Sequence, residues 1–188
     1  MMKVVCFGDS NTYGFDPRSF FGSRYPADSR WVDILANKTG WDVRNEGMNG
    51  REVPRNAVVF PENIRLLIIM LGTNDLLMGR SVAGTAAAMD QFLKALSLSS
   101  GKVLLIAPPH FVRGEWLEND RLVWDSHLIS EEYRSLASQL GIRFVDSADW
   151  EIPLCFDGVH FTEEGHRRFA AGLYEYLQKE NVLCLKSE

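Results

Sequence analysis

Two stretches of this chain are apolar at every position, residues 66–71 and residues 103–107. A strand with one face in water alternates apolar and polar residues. An unbroken apolar run of this length, closed by Gly72 in one case and Pro108-Pro109 in the other, suits a strand covered on both faces. Residues 3–7 form a third, Val-rich run stopped by Gly8. Residues 142–145 form another after Gly141, and residues 42–45 are a fainter strand. Segments of helical period separate these runs. Val32, Leu35 and Ala36 share one face, with Asp28 or Ser29 as the expected N-cap and Gly40 as the stop. Ser81 precedes a face made of Val82, Ala86, Met89, Phe92, Leu93 and Leu96. Leu128 or Ile129, Tyr133, Leu136 and Leu140 form the next. Thr162 precedes Phe169, Leu173 and Leu177, and Glu163 and Glu164 suit that helix's positive end.

Strand and helix alternating five times imply a parallel sheet with helices on both faces. The expected fold is a three-layer α/β/α architecture with a five-stranded parallel sheet in the flavodoxin-like order 2-1-3-4-5. One crossover stands out: only residues 51–63, with Pro54 and Pro61, join the second strand to the third. No repeat or linker divides the chain, so a single domain over residues 1–188 is expected.

Composition narrows the function. Twenty Lys and Arg against 25 Asp and Glu give a net charge of −5, and the pI is near 5.4. This even, mildly acidic mixture argues against a nucleic-acid or anionic-membrane partner. No apolar run approaches a membrane span. The short start before the first strand leaves no room for an export signal. Cys6, Cys155 and Cys184 show neither metal spacing nor a disulfide framework, so a cytoplasmic location and no metal are expected.

In such a sheet, ligands bind beyond the carboxyl ends of the strands. The residues arriving there are Gly8-Asp9-Ser10-Asn11, then Asn45-Glu46-Gly47-Met48-Asn49-Gly50, Gly72-Thr73-Asn74-Asp75 and Asp157-Gly158-Val159-His160. They bring a hydroxyl, an imidazole, carboxylates, side-chain amides and glycine backbone to one edge. Those are the groups needed for acyl transfer through a serine nucleophile. The first loop has no Lys after its glycines, which sets it apart from a phosphate-binding P-loop and leaves a flavodoxin-like binding module as a remote alternative.

These blocks, in this order from residue 7 to residue 166, resemble those of the SGNH hydrolases, the GDSL esterase/lipase family. Phe7-Gly8-Asp9-Ser10-Asn11-Thr12-Tyr13-Gly14, Arg30-Trp31 and Met70-Leu71-Gly72-Thr73-Asn74-Asp75 are similar to its small aryl esterase and acyltransferase branch. Asn11 departs from the pattern, because the family's name has Leu there. The resemblance implies a serine esterase acting on small acyl esters without a cofactor. Carbohydrate O-deacetylation and acyl transfer are the alternatives. Ser10 matches the nucleophile, His160 the general base, and Asp157 the residue that orients it. The oxyanion donors implied are the backbone N–H groups of Ser10 and Gly50 and the side-chain amide of Asn74. Gly50 keeps the family's spacing of five residues from Asn45, with Gly47 as the competing position. Asp9 and Asp75 are expected to make structural hydrogen bonds, and His166 to be a solvated helix residue.

Two aromatic loops complete the picture. Residues 12–27 carry Tyr13, Phe15, Phe20, Phe21 and Tyr25, and residues 108–125 carry His110, Phe111, Trp116 and Trp124. Loops of this length are usually functional. They suit walls of an acyl or alcohol pocket, with Asn11, Met48, His110, Phe111, Trp116 and Val159 as candidate lining residues. So many exposed aromatic groups would be unusual on a monomer, so a homo-oligomer is expected.

Overall fold

A computed structural model describes residues 1–19, 21–117 and 119–182. Phe20 and Cys184, singled out above, lie outside the described residues. Five parallel strands form one sheet in the order β2-β1-β3-β4-β5. They are β1 (Lys3–Gly8), β2 (Asp42–Gly47), β3 (Leu66–Met70), β4 (Val103–Ala107) and β5 (Arg143–Asp146). This is the expected architecture and strand order.

Every residue of β3 and β4 is buried, and so is all of β1 beyond Lys3. Alternate side chains feed opposite layers. Val5, Phe7, Leu67, Ile69 and Leu105 join the layer holding α4 (Val82–Lys94) and α5 (Asp120–Leu140). Val4, Cys6, Leu66, Ile68 and Leu104 join the layer holding α2 (Trp31–Thr39) and α6 (Glu163–Lys179). Ser81 and Thr162 cap α4 and α6 as expected, each accepting from the backbone N–H three residues on. The short helices α1 (Ser10–Tyr13) and α3 (Thr73–Leu77) follow β1 and β3 directly.

Two local expectations need correction. Neither Asp28 nor Ser29 caps α2. Both sit in a preceding 3-10 turn, and Arg30 occupies the cap position without a side-chain bond. Helix α5 begins at Asp120, earlier than its apolar stripe suggests, because the Asn119 side chain caps it and its first turns are largely exposed. The crossover from β2 to β3 holds no helix. Val53 and Ile64 are buried there, and Val58 and Phe60 pack on the same layer, so separate apolar side chains cover the sheet in a helix's place.

Among the described residues no helix is long and apolar enough to cross a membrane, and Cys6 and Cys155 are free thiols.

Candidate active site

Ser10 is the first residue of α1, directly beyond the carboxyl end of β1. Asp9 caps that turn, its carboxylate accepting from Asn11 N–H at 3.0 Å. A first helical position has no partner for its N–H within the helix. The Ser10 backbone donor and hydroxyl are therefore presented together at the sheet edge. Burial is the main influence on the Asp9 carboxyl and pushes it above the usual carboxylate range.

His160 arrives from the far side of the sheet, on the loop between β5 and α6. Its Nε2 lies 3.0 Å from Ser10 Oγ, and its Nδ1 lies 2.7 Å from Asp157 Oδ2. Burial works to raise the Asp157 carboxyl. The His160 ring and the backbone N–H groups of His160 and Val159 hydrogen-bond to it and outweigh burial, so it sits below the usual carboxylate range. An ionised Asp157 accepts only, which puts the proton on Nδ1 and leaves Nε2 to accept from the Ser10 hydroxyl. Phe15 and Trp116 both meet the imidazole edge-to-face, with ring centroids at 4.8 Å and 5.2 Å.

The loop carrying His160 is fixed by position 11. Asn11 Nδ2 donates to Val159 O at 3.1 Å, and Asn11 Oδ1 accepts from Phe161 N–H at 2.9 Å. One side chain thus holds the backbone on both sides of His160. Trp31 Nε1 in turn donates to Asn11 O at 3.0 Å.

Ser10, Gly50 and Asn74, the residues expected to supply the donors, line one cavity. Gly50 lies on an exposed turn with φ +72 and nothing within 4 Å of where a Cβ would be. Gly47, the competing position, is otherwise engaged. Its N–H donates to Asn45 Oδ1 at 2.9 Å, and a Cβ there would meet Tyr13 N at 2.1 Å. Asn74 Nδ2 donates to Arg51 O at 3.0 Å, which fixes the amide with a second N–H to spare. Asp75 accepts from Val53 N–H at 2.9 Å and pairs with Arg80. Asp9 and Asp75 both make the structural bonds expected of them. Burial, the largest influence, raises the Asp75 carboxyl to about 6.

A half-open cavity of about 220 Å³ meets these groups, lined by Ser10, Phe15, Asn49, Gly50, Asn74, Leu77, Trp116 and His160. Of the six expected pocket residues, Trp116 lines it. The others lie elsewhere. Asn11 is buried in the hydrogen bonds above. Phe111 and Val159 are apolar residues absorbed by the core. Met48 is on the surface. His110 stacks on His127 at 3.7 Å, and burial followed by that neighbour lowers its basicity. Asn49 and Leu77 were missed as lining residues. Leu77 could have been found from its place three residues after Asn74, one helical turn on. His166 is not solvated. It is fully buried between the Tyr25 and Phe161 rings, and burial pushes its imidazole down to about 3.

Among the described residues no group of three or more His, Cys, Asp or Glu is arranged to hold a metal.

Comparison with known proteins places the chain in a family. The profile of the GDSL-like lipase/acylhydrolase family matches residues 6–168. A provisionally assigned arylesterase from Agrobacterium tumefaciens str. C58 is similar at 27% identity and TM-score 0.80, over 95% of this chain and 99% of that one. The aryl esterase of M. smegmatis is similar at 25% identity and TM-score 0.76, over 95% and 99%. A member of the lipolytic G-D-S-L family from Veillonella parvula DSM 2008 is similar at 26% identity and TM-score 0.70, over 95% and 100%. No curated protein sequence matches this chain.

Proposed function

The chain belongs to the GDSL-like lipase/acylhydrolase family, and from that premise we propose that it hydrolyses small, uncharged carboxylic esters through an acyl-enzyme on Ser10. His160 takes the Ser10 proton as Oγ attacks the ester carbonyl, then returns it to the leaving alcohol. A water molecule activated by the same imidazole releases the acid. Asp157 holds the ring in the Nδ1–H form and stabilises the imidazolium that forms. Negative charge developing on the carbonyl oxygen is met by Ser10 N–H, Gly50 N–H and Asn74 Nδ2.

The observation that carries the reading is the continuous relay from Ser10 through His160 to Asp157, at 3.0 Å and 2.7 Å, opening onto a cavity. The cavity's size and lining support the substrate class. About 220 Å³ is less than the roughly 300–1,000 Å³ typical of pockets for drug-sized ligands. Phe15, Leu77 and Trp116 give it apolar walls, and among the described residues no Lys, Arg, Asp or Glu lines it. The arylesterases named among the similar structures support an ester substrate.

The test is a series of p-nitrophenyl esters from acetate to laurate. kcat/KM should be highest for the shortest acyl groups, with Ser10→Ala inactive throughout. A preference for laurate would remove the argument from cavity size.

The same reading takes residues 1–188 as one domain. It takes the chain as a homo-oligomer that covers the exposed Phe21, Trp116 and Trp124 side chains. The free thiols of Cys6 and Cys155 suit a reducing cytoplasm. A 21.3 kDa species in light scattering across a wide concentration range would refute the oligomer.

A further inference from the structure

Gly50 has a weakness as an oxyanion donor. Met48, Asn49 and Gly50 are all exposed, and nothing lies within 4 Å of where a Gly50 Cβ would stand. Packing therefore does not aim its N–H. A preorganised donor must be held before the reaction, since a misplacement of about 1 Å can cost roughly 10² in rate. The turn's own bond, Arg51 N–H to Met48 O at 3.2 Å, shapes it, and an anchor beside it fixes where it sits against the Ser10 turn.

Arg51, the next residue, is built for this. Its guanidinium lies over the Phe7 ring, 4.2 Å from the centroid. Its Nη1 donates to Gly8 O at 2.9 Å and also to Glu46 O. One group therefore ties together the carboxyl ends of β1 and β2, the strands that lead to Ser10 and Gly50. Gly8 O also accepts Met48 N–H at 3.1 Å, so both ends of the 48–51 turn close on the same carbonyl. The main chain of Arg51 completes the set, because its carbonyl accepts Asn74 Nδ2 at 3.0 Å. Gly50 directly precedes Arg51, Asn74 is bonded to its carbonyl, and Ser10 lies two residues beyond the Gly8 carbonyl that the Arg51 side chain holds.

We infer that Arg51 is a positioning residue that clasps the oxyanion hole, fixing the Gly50 and Asn74 donors against the Ser10 turn. This rests on the proposed function, since it assigns Arg51 a part in aiming those three donors. The chemistry favours the inference over simple packing. The guanidinium is partly buried, and its hydrogen bonds go to backbone carbonyls rather than to a carboxylate. Desolvation lowers its basicity despite Glu46 and Asp9 nearby. An apolar side chain over Phe7 would fill the space without that desolvation cost. What it would lack is a planar fork able to bond two strand ends while stacked on a ring.

The test compares Arg51→Ala and Arg51→Lys with the wild type and Ser10→Ala, on p-nitrophenyl acetate. Arg51→Ala should lower kcat by roughly 10² with KM within about twofold, the pattern of an interaction made in the transition state. Millimolar guanidinium should restore a large part of the lost kcat by occupying the vacated slot. A purely structural role would lower the melting temperature and leave turnover per folded molecule unchanged, with no rescue. Arg51→Lys keeps the charge but not the fork, and should stay at least about fivefold below wild type in kcat. Should Arg51→Ala fail to fold, Arg51→Lys decides: wild-type kcat in that variant overturns the clasp. Wild-type turnover in Arg51→Ala, with Ser10→Ala inactive, overturns the clasp and leaves the nucleophile standing. Activity surviving in Ser10→Ala overturns the underlying reading itself.

Discussion

Replacing Asn11 by Leu asks how much of the site depends on one amide. Leu is the residue that gives the family its name at this position, and it fills similar volume. In this chain the Asn11 side chain satisfies Val159 C=O and Phe161 N–H, the backbone groups flanking His160. Asn11 is only 3% exposed, so water does not readily replace it. A buried backbone group left without a partner costs about 1–3 kcal/mol, and two such groups cost roughly 2–6 kcal/mol. Burying a Leu side chain offsets about 1 kcal/mol of that. For a chain of 188 residues, each kcal/mol moves the melting temperature by about 2–4 °C. Asn11→Leu should therefore melt roughly 2–20 °C lower. It should also lose at least about tenfold in kcat, because the backbone on both sides of the imidazole is released while Asp157 still holds the ring. Calorimetry and steady-state kinetics on one preparation measure both quantities. A variant that melts within about 2 °C of wild type with unchanged kcat would refute the reasoning, and would mean that Asp157 alone positions His160.

Three further outcomes follow from individual contacts. His166 has its basicity pushed from the ordinary 6.5 down to about 3 in the fold, so the unfolded chain takes up a proton first as pH falls. The stability this group contributes is present above pH 6.5 and drains away towards pH 3, by up to about 5 kcal/mol. His166→Asn should flatten that acid loss in a melting-temperature profile, and an unchanged slope would count against it. Gly47→Ala should be much less stable than Gly50→Ala, because its Cβ meets Tyr13 N at 2.1 Å whereas Gly50 has open space and only its φ of +72 to strain. Chemical denaturation of the two should rank them in that order, and the reverse ranking would contradict the packing. Asn74→Ala should lower kcat by roughly 10²–10³ with KM almost unmoved, whereas a variant that loses only melting temperature would mark Asn74 as a turn residue.

The parts of the fold that were plain in the sequence are those where burial is one-sided or total. β3 and β4 lie inside the sheet with helices over both faces, so every side chain had to be apolar. β2 was faint because it is an edge strand, half-exposed, with Asp42, Arg44 and Glu46 along it. The start of α5 was hidden for a related reason: its first turns, with exposed Trp124, contribute little to the stripe. His166 was misjudged through its neighbours, since Glu163, Glu164, Arg167 and Arg168 make the turn look solvated. Its phase told otherwise, because residues 166, 169, 170, 173 and 177 form the single buried stripe of α6. The candidate site was legible as blocks because each sits immediately beyond a strand end or within one turn of His160. The pocket was not, because its walls come from tertiary contacts. Phe111 and Val159 are as apolar as Trp116, and only the folded loops decide that the first two enter the core while the third faces the cavity.

The central claim is a covalent acyl-enzyme on Ser10. The direct measurement is intact-mass and peptide mass spectrometry after brief reaction with a serine-directed fluorophosphonate, alongside rapid quenching during p-nitrophenyl acetate turnover. One adduct per chain is expected, on the peptide containing Ser10, in both experiments. The adduct should be absent from Ser10→Ala and should form more slowly in Asp157→Asn, whose imidazole has lost its orienting carboxylate. An adduct on any other residue, or steady turnover by Ser10→Ala, would contradict the claim.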